Sequence, residues 1–474
     1  MSGAGPAWRV LAFSPESFDR ELFALARQVP LLDHLLCRLD ERHDPFLKED
    51  RVLRNHHRDL MAHGGFTIRL PQAGATLRSG RAVMLEDKTV FYGVQGRPDL
   101  LLAEARVGYG HPLSAVVLPR QRVVLTIRGH RWNADVAAAQ RALALFAAAG
   151  VDPCAPADGL PRVLVTGDVN YAHHVWNQLG ALAAVLEQGA PVRVLATHQP
   201  IAPIAEIFDD HPGLSVTPVA LAALPRLDPG RVLPVAAGGL VVRSSVRARI
   251  GRVAERHASP AVLGFLARSR PRALIWLGIR QGNRTAVNLF DALAALALSL
   301  LREARFGLVL DGFSLPNDAA DNPNYDRTLI DPAIGQEQMF AERLLAHLVV
   351  RLGAAVAERV FVGIGGGLLD SIHLAAQCRA YFAHHGTLQH RLGYFTTVPG
   401  QVHSNPAILA GKHAAAQRYA IEDPGAIDYI PAGLVADWPA PGAPPFDSNN
   451  TYRFVDIPAL VSGFRAFLAR HGIA

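Results

Sequence analysis

At 474 residues the chain exceeds what a single hydrophobic core fills, so two or three domains are expected, and a composition half hydrophobic and 19% charged excludes a disordered protein. Three scattered cysteines, Cys37, Cys154 and Cys378, form no ligand pattern, which excludes a disulfide scaffold and a cysteine-based zinc site and fits a reducing compartment. The formal charge of +6 is almost all arginine, with lysine only at Lys48, Lys88 and Lys412, and no basic run interleaves with aromatics; nucleic acid is not an expected partner.

The N-terminus turns acidic too soon for a secretory signal, and the most apolar stretch, Leu289 to Leu301, falls short of the roughly 20 residues that span a bilayer. A cytoplasmic protein without a transmembrane segment is the expectation. Residues 14–62 carry helical apolar spacing (Phe18, Leu22, Leu25, Val29, Leu32) broken at Pro30. From Gly64 to Arg128, short apolar runs between Gly, Pro and Asp predict a β-rich segment, and an Ala-rich helix follows at 133–149. Residues 1–150 are thus read as a helical, then β-rich, extension.

Beyond it the texture is βα. A strand at 162–165, a helix at 172–188, a strand at 192–197, a helix near 201–208 and strands near 214–219 and 239–242 form one series. A second begins at the strand 273–279 and runs through a helix at 289–304, a strand at 306–310 and a helix at 336–352. It continues with a strand at 360–364, a helix at 368–377, a strand at 380–383, a helix at 387–395 and a strand at 401–402. An amphipathic helix at 457–470 closes the chain. The predicted fold class is α/β: two Rossmann-like lobes, 151–265 and 266–474, behind the extension, with a polar, histidine-rich site between them.

Ligands of open α/β sheets bind beyond the carboxyl ends of the strands, so residues there are the candidates. After the strand at 162–165, Asn170, His173, His174 and Asn177 recur at helical spacing; His173 or His174 suits a general base, and capping of backbone amides is the plainer alternative. After the strand at 273–279, Arg280, Asn283 and Arg284 surround a glycine and precede Thr285, a set suited to a diphosphate. Gly363 to Gly367 lacks the spacing of a dinucleotide fingerprint, yet Gly365 and Gly366 permit close approach of a ligand; a plain tight turn is the alternative. The richest place is His384, His385, Gly386, Thr387 and His390, where a turn leads into a helix able to cradle phosphate. Its histidines lack the spacing of a metal site, so no metal and no cofactor are assigned.

The stretch Asn170-Tyr-Ala-His173-His-Val-Trp-Asn177-Gln-Leu179 resembles the helix start of glycosyltransferase family 61. Ala383-His-His-Gly386-Thr-Leu, followed by Pro399-Gly400, is similar to the same family's strand–turn–helix, and Ile279-Arg280 to Arg284 resembles its donor-side arginine. More distantly, the order resembles other glycosyltransferases of GT-B architecture. The resemblance implies metal-independent transfer of a sugar from a nucleotide diphosphate donor to a glycan or other hydroxyl acceptor, as in surface polysaccharide synthesis. It places the acceptor on the first lobe and the donor on the second. Arg280, Arg284 and the Thr387 helix start would neutralise the diphosphate, His173 or His174 would deprotonate the acceptor, and Asp311 would orient a sugar hydroxyl. The alternatives are a non-catalytic nucleotide- or carbohydrate-binding protein, a hydrolase using a metal at His384, His385 and His390, and a sugar-nucleotide epimerase.

Overall fold

The computed structural model describes residues 7–13, 24, 50–70, 75–104, 112–127, 134–282, 284–411 and 421–473. Two compact units divide the chain. The first holds residues 1–169, 173–198 and 208–241, the second residues 170–172, 199–207 and 242–474. The division falls earlier than the residue 265 read from the sequence, because the helices α4 (Ser244–Arg256) and α5 (Pro260–Ser269) pack on the second unit's α8 (Leu368–Gln377).

In the first unit the β-rich segment is a seven-stranded sheet, ordered β1-β7-β6-β5-β4-β3-β2. Its strands are β1 (Arg9–Phe13), β2 (Thr67–Leu70), β3 (Ala75–Met84), β4 (Val90–Val94), β5 (Arg97–Ala103), β6 (Ala115–Leu118) and β7 (Val123–Ile127). β1, absent from the sequence reading, adds in parallel to β7. The part of the predicted 14–62 helix that is described is α1 (Asp50–His63); apart from Ala24, which is helical, residues 14–49 lie outside the described residues. α2 (Val136–Ala149) starts where the Asp135 carboxylate accepts from Ala138 N and stops at Gly150 in the left-handed region, and its Ala139, Ala142 and Phe146 close the core of the seven-stranded sheet.

The same unit carries a four-stranded parallel sheet, β10-β9-β8-β11, from β8 (Arg162–Thr166), β9 (Val192–Ala196), β10 (Leu214–Pro218) and β11 (Leu233–Ala236). The sequence puts the last strand at 239–242 instead. Pro234 hides the true one, and an edge strand tolerates a proline because one row of its amides need not pair. Between β8 and β9 the helix is not regular. Tyr171–His173 is α-helical, His174–Leu179 is a π-helix, and α3 (Gly180–Leu186) resumes the α-helix.

The second unit holds a six-stranded sheet, β14-β13-β12-β15-β16-β17, parallel throughout. Its strands are β12 (Ala273–Gly278), β13 (Phe306–Asp311), β14 (Val360–Val362), β15 (Ala380–His384), β16 (Gly400–His403) and β17 (Ile427–Tyr429). Numbered within the sheet the order is 3-2-1-4-5-6, the doubly wound arrangement, and it reverses between β12 and β15. Both faces are covered, so the strands read as apolar runs. Ile275 and Leu277 face α6 (Leu289–Leu301), α7 (Arg327–Leu352) and α10 (Ile457–Arg470), while Leu274 and Trp276 face α5, α8 and α9 (Thr387–Phe395). α7 begins nine residues before the predicted start, because Asp326 caps it and Pro332 is accepted at an exposed position. The hairpin β18 (Val435–Trp438) and β19 (Thr451–Phe454) completes the unit.

Candidate functional site

In the first unit the strand order reverses between β8 and β11, and the π-helix crosses that end of the sheet. π-helical turns are rare and collect at functional sites. Asn177, fully buried, donates from Nδ2 to Gly239 O at 2.7 Å, just past β11. Its Oδ1 therefore faces His173 Nδ1 at 2.9 Å, which fixes the proton on Nδ1 and leaves Nε2 as the basic nitrogen. Trp176 stacks on the His173 ring and anchors to Leu240 O at 2.5 Å. His173 is half-buried, whereas His174 is fully buried with Nδ1 on Gln178 Oε1 at 3.1 Å. Gln178 Oε1 also accepts from Thr166 Oγ1 (3.1 Å) and Gly167 N (2.7 Å), so His174 belongs to the bracing of the β8 end. Of the two histidines left open by the sequence, His173 is the one a substrate can reach. Asn170 caps Ala172 N, accepting at Oδ1 at 3.0 Å.

In the second unit the reversal between β12 and β15 is flanked by the Arg280 loop and the His384–Thr387 turn. Asn283 lies outside the described residues. Arg284 is held at φ 60°, a left-handed conformation costly for any residue but glycine, and its Nε is buried without a hydrogen-bond partner among the described residues. Arg280 loses basicity to burial first and to the charge of Arg284 next, with Glu337 opposing. The loop is tied at both ends. Thr285 Oγ1 donates to Arg280 O at 2.6 Å, and the backbone of 285–287 pairs with Tyr452 of β19. Glu337 on α7 accepts from Gln281 N (3.2 Å) and Phe313 N (2.5 Å), clamping the ends of β12 and β13.

His384 ends β15, is 2% exposed, and among the described residues has no hydrogen-bond partner on either ring nitrogen. Burial drives its pKa well below the usual value, and Arg280, His403, His385 and Arg284 push the same way, so it is a neutral imidazole among positive charges. His403, at the matching end of β16, pairs with Tyr452 Oη at 2.6 Å and is held neutral by burial, its pKa lowered to about 3. His385 meets Tyr429 Oη at 3.3 Å, and His390 stacks on Tyr394 with ring centres 4.4 Å apart. Gly386, at φ 109°, turns the chain into α9, and Thr387 O accepts from the Tyr171 hydroxyl. Among the described residues no group of three or more His, Cys, Asp or Glu is placed to hold a metal ion, and no helix is long and apolar enough to cross a membrane.

Three further predicted donor contacts are Asp311, Gly365 and Gly366. Asp311 is fully buried, and its carboxylate accepts from Ser371 Oγ (2.6 Å), Arg391 (3.0 Å) and Gly312 N (2.7 Å). It fixes Arg391, which also donates to Ser314 Oγ at 3.0 Å and lies over the Tyr171 ring, rather than facing a sugar. Gly365, at φ 77°, abuts Gln338 and Ile334 of α7, and Gly366 O accepts from Leu315 N. The glycine run is a tight turn in which Gly365 and Gly366 are partly exposed and Gly367 is exposed.

No family model matches the chain, and no curated protein sequence matches it. Solved structures similar to it include the E. coli ADP-heptose LPS heptosyltransferase II, at 12% identity over 66% of this chain and 99% of that one, with a TM-score of 0.37. The E. coli heptosyltransferase WaaC with ADP is similar at 12% identity over 66% of this chain and 99% of that one, TM-score 0.33. A glycosyl transferase of family 9 from Veillonella parvula is similar at 10% identity over 52% and 81% of the two chains, TM-score 0.30.

Sequence reasoning missed Glu337, Arg391, His403 as a partner of Tyr452, and Tyr452 itself. Each unit has its own candidate place: the first carries a half-buried imidazole with a defined basic nitrogen, and the second carries Arg280 and Arg284 beside a neutral histidine and a helix start.

Proposed function

We propose that the chain is a glycosyltransferase that moves a sugar from a nucleotide diphosphate donor to a hydroxyl acceptor, with the donor on the second unit and the acceptor on the first. One observation carries the reading. At the point where the second sheet reverses its strand order, the charge of Arg284 opposes that of buried Arg280, and α9 presents its amino end. Two guanidinium groups held together beside a neutral histidine attract an anion, and a diphosphate supplies one charge per phosphate for planar, two-point hydrogen bonding.

His173 Nε2 takes the proton of the acceptor hydroxyl as its oxygen bonds to the anomeric carbon. The bond from that carbon to the diphosphate oxygen breaks, and its electron pair stays on the diphosphate. Arg280, Arg284 and the α9 amides stabilise the developing charge, work that requires no metal ion. Asn177 keeps His173 in the reactive tautomer. A thermal-shift screen against nucleoside diphosphates tests the donor half: stabilisation by one nucleotide, lost in Arg284→Ala, is expected. Absence of a shift with any nucleotide overturns the reading, and tight binding without turnover of any nucleotide sugar makes the chain a binding protein.

A further inference from the structure

We propose that the carboxyl ends of β8 and β9 hold an anionic oxygen group of the first unit's ligand, a phosphate or a carboxylate, and that Lys88 binds it. The inference rests on reading the first unit as the acceptor half and gives that acceptor a negative charge.

Lysine is scarce in this chain, three residues among 47 lysines and arginines, so basic surface positions are left to arginine. Lys88 is not a surface residue. It is 7% exposed, in the turn between β3 and β4, and adopts φ 67°. The turn is built to hold that conformation: Lys88 N donates to Leu85 O, Leu85 N to Thr89 O, and Thr89 N to the Asp87 carboxylate at 3.0 Å. The side chain leaves its own sheet and reaches the parallel one. There the ammonium donates to Gly167 O, directly after β8, and to Thr197 Oγ1 at 3.3 Å, directly after β9.

Both partners are neutral. Among the described residues Lys88 makes no ion pair within 4 Å; Asp168 and Asp87 act on it only at longer range, and burial lowers its pKa. A buried charge is normally paired, and an ammonium with two neutral acceptors retains a third donor. It sits where ligands of α/β sheets bind. Around it the strand ends are fixed closely: Gly167 at φ 112° leaves no room for a Cβ, which would stand 2.3 Å from His198 N, and Thr197 Oγ1 meets His198 Nδ1 at 3.1 Å. A compact ammonium suits this space, since the wider guanidinium fork needs planar access. The seven-stranded sheet thereby delivers a cation to the strand ends of the parallel sheet in the same unit.

The scarcity of lysine makes the test direct. Protein grown with lysine carrying carbon-13 at Cε gives three signals, and Lys88→Arg identifies the one that belongs to Lys88. Inorganic phosphate or acetate is titrated into the wild-type protein, with chloride at matched ionic strength as reference. The expected result is a saturable displacement of the Lys88 signal, with its titration midpoint moved upward and the displacement weakened in Thr197→Val. Response to phosphate alone assigns a phosphate, response to acetate alone a carboxylate. The same response must persist in Arg280→Ala with Arg284→Ala, so failure of the diphosphate site is seen separately. A Lys88 signal that ignores both anions, or moves equally with chloride, overturns the proposal.

Discussion

Asp311→Ala separates a supporting role from a substrate-binding one. The carboxylate is 0% exposed, its Arg391 partner 3% exposed by side chain, and Ser371 and Gly312 complete its hydrogen bonds. Removing it leaves a buried guanidinium hydrogen-bonded to the Ser314 and Ser371 hydroxyls, with Glu337 the remaining carboxylate that acts on it, and breaking a buried pair in this way costs about 3–5 kcal/mol. For a unit of this size about 2–4 °C accompanies each kcal/mol, so the second unit should melt roughly 10 °C lower. Calorimetry on the whole chain reads this as a shift confined to one transition. Asp311→Leu combined with Arg391→Met should recover part of the loss, because two apolar groups replace two charges. Donor KM in the folded Asp311→Ala protein should stay within about threefold. An unchanged melting transition with KM raised tenfold would mean that Asp311 faces the substrate, refuting its placement.

Other outcomes follow from the first unit. His56 Nε2 meets Glu104 Oε1 at 2.6 Å and the Tyr92 hydroxyl donates to the same oxygen; burial lowers His56 to about 3 and His57 to about 4 and raises Glu104 to about 8. The histidines contribute stability that is complete above their unfolded value of 6.5 and lost as pH falls below it, whereas the contribution of protonated Glu104 is lost between 4.5 and 8. The stability of this unit to urea should therefore peak near pH 6.5 and fall by about 1.4 kcal/mol per pH unit toward pH 8, with the alkaline limb absent in Glu104→Gln. Gly167→Ala should cost more than about 3 kcal/mol, from a disfavoured backbone and the clash with His198, read by loss of soluble protein or of the first melting transition. Asn177→Ala should lower kcat about tenfold or more and leave acceptor KM nearly unchanged, because it acts through the tautomer of His173.

Periodicity makes the second unit legible: the helices at 368–377 and 457–470 lie where the apolar spacing puts them, because each buries one face, whereas the helix at 387–395, buried from Leu388 to Phe395, is marked by the Gly386 turn before it. β11 escapes such a reading because its edge position excuses Pro234, a fact of sheet order and not of local sequence. The π-helix leaves no trace, since its extra residue per turn preserves the four-residue step from His173 to Asn177. Arg280, His384 and Thr387 are visible as residues that follow strands. Tyr452, Glu337 and Arg391 are not, because their partners lie far away in sequence: Tyr452 closes the loop at 285–287, Glu337 holds two strand ends, and Arg391 turns inward from a helix to Asp311. Asp311 looks like a ligand-facing residue for the same reason; the sequence places it at a strand end but cannot show Ser371 and Arg391 around it.

The most direct measurement is release of nucleoside diphosphate from a panel of nucleotide sugars, with and without glycan acceptors, by the wild type and His173→Ala. One donor should be turned over, with the rate reduced about 10²–10⁴-fold in His173→Ala while nucleotide binding is retained. Turnover that survives in His173→Ala, or a wild type that binds the diphosphate and turns over no donor, contradicts the assignment of His173 as the base of a glycosyl transfer.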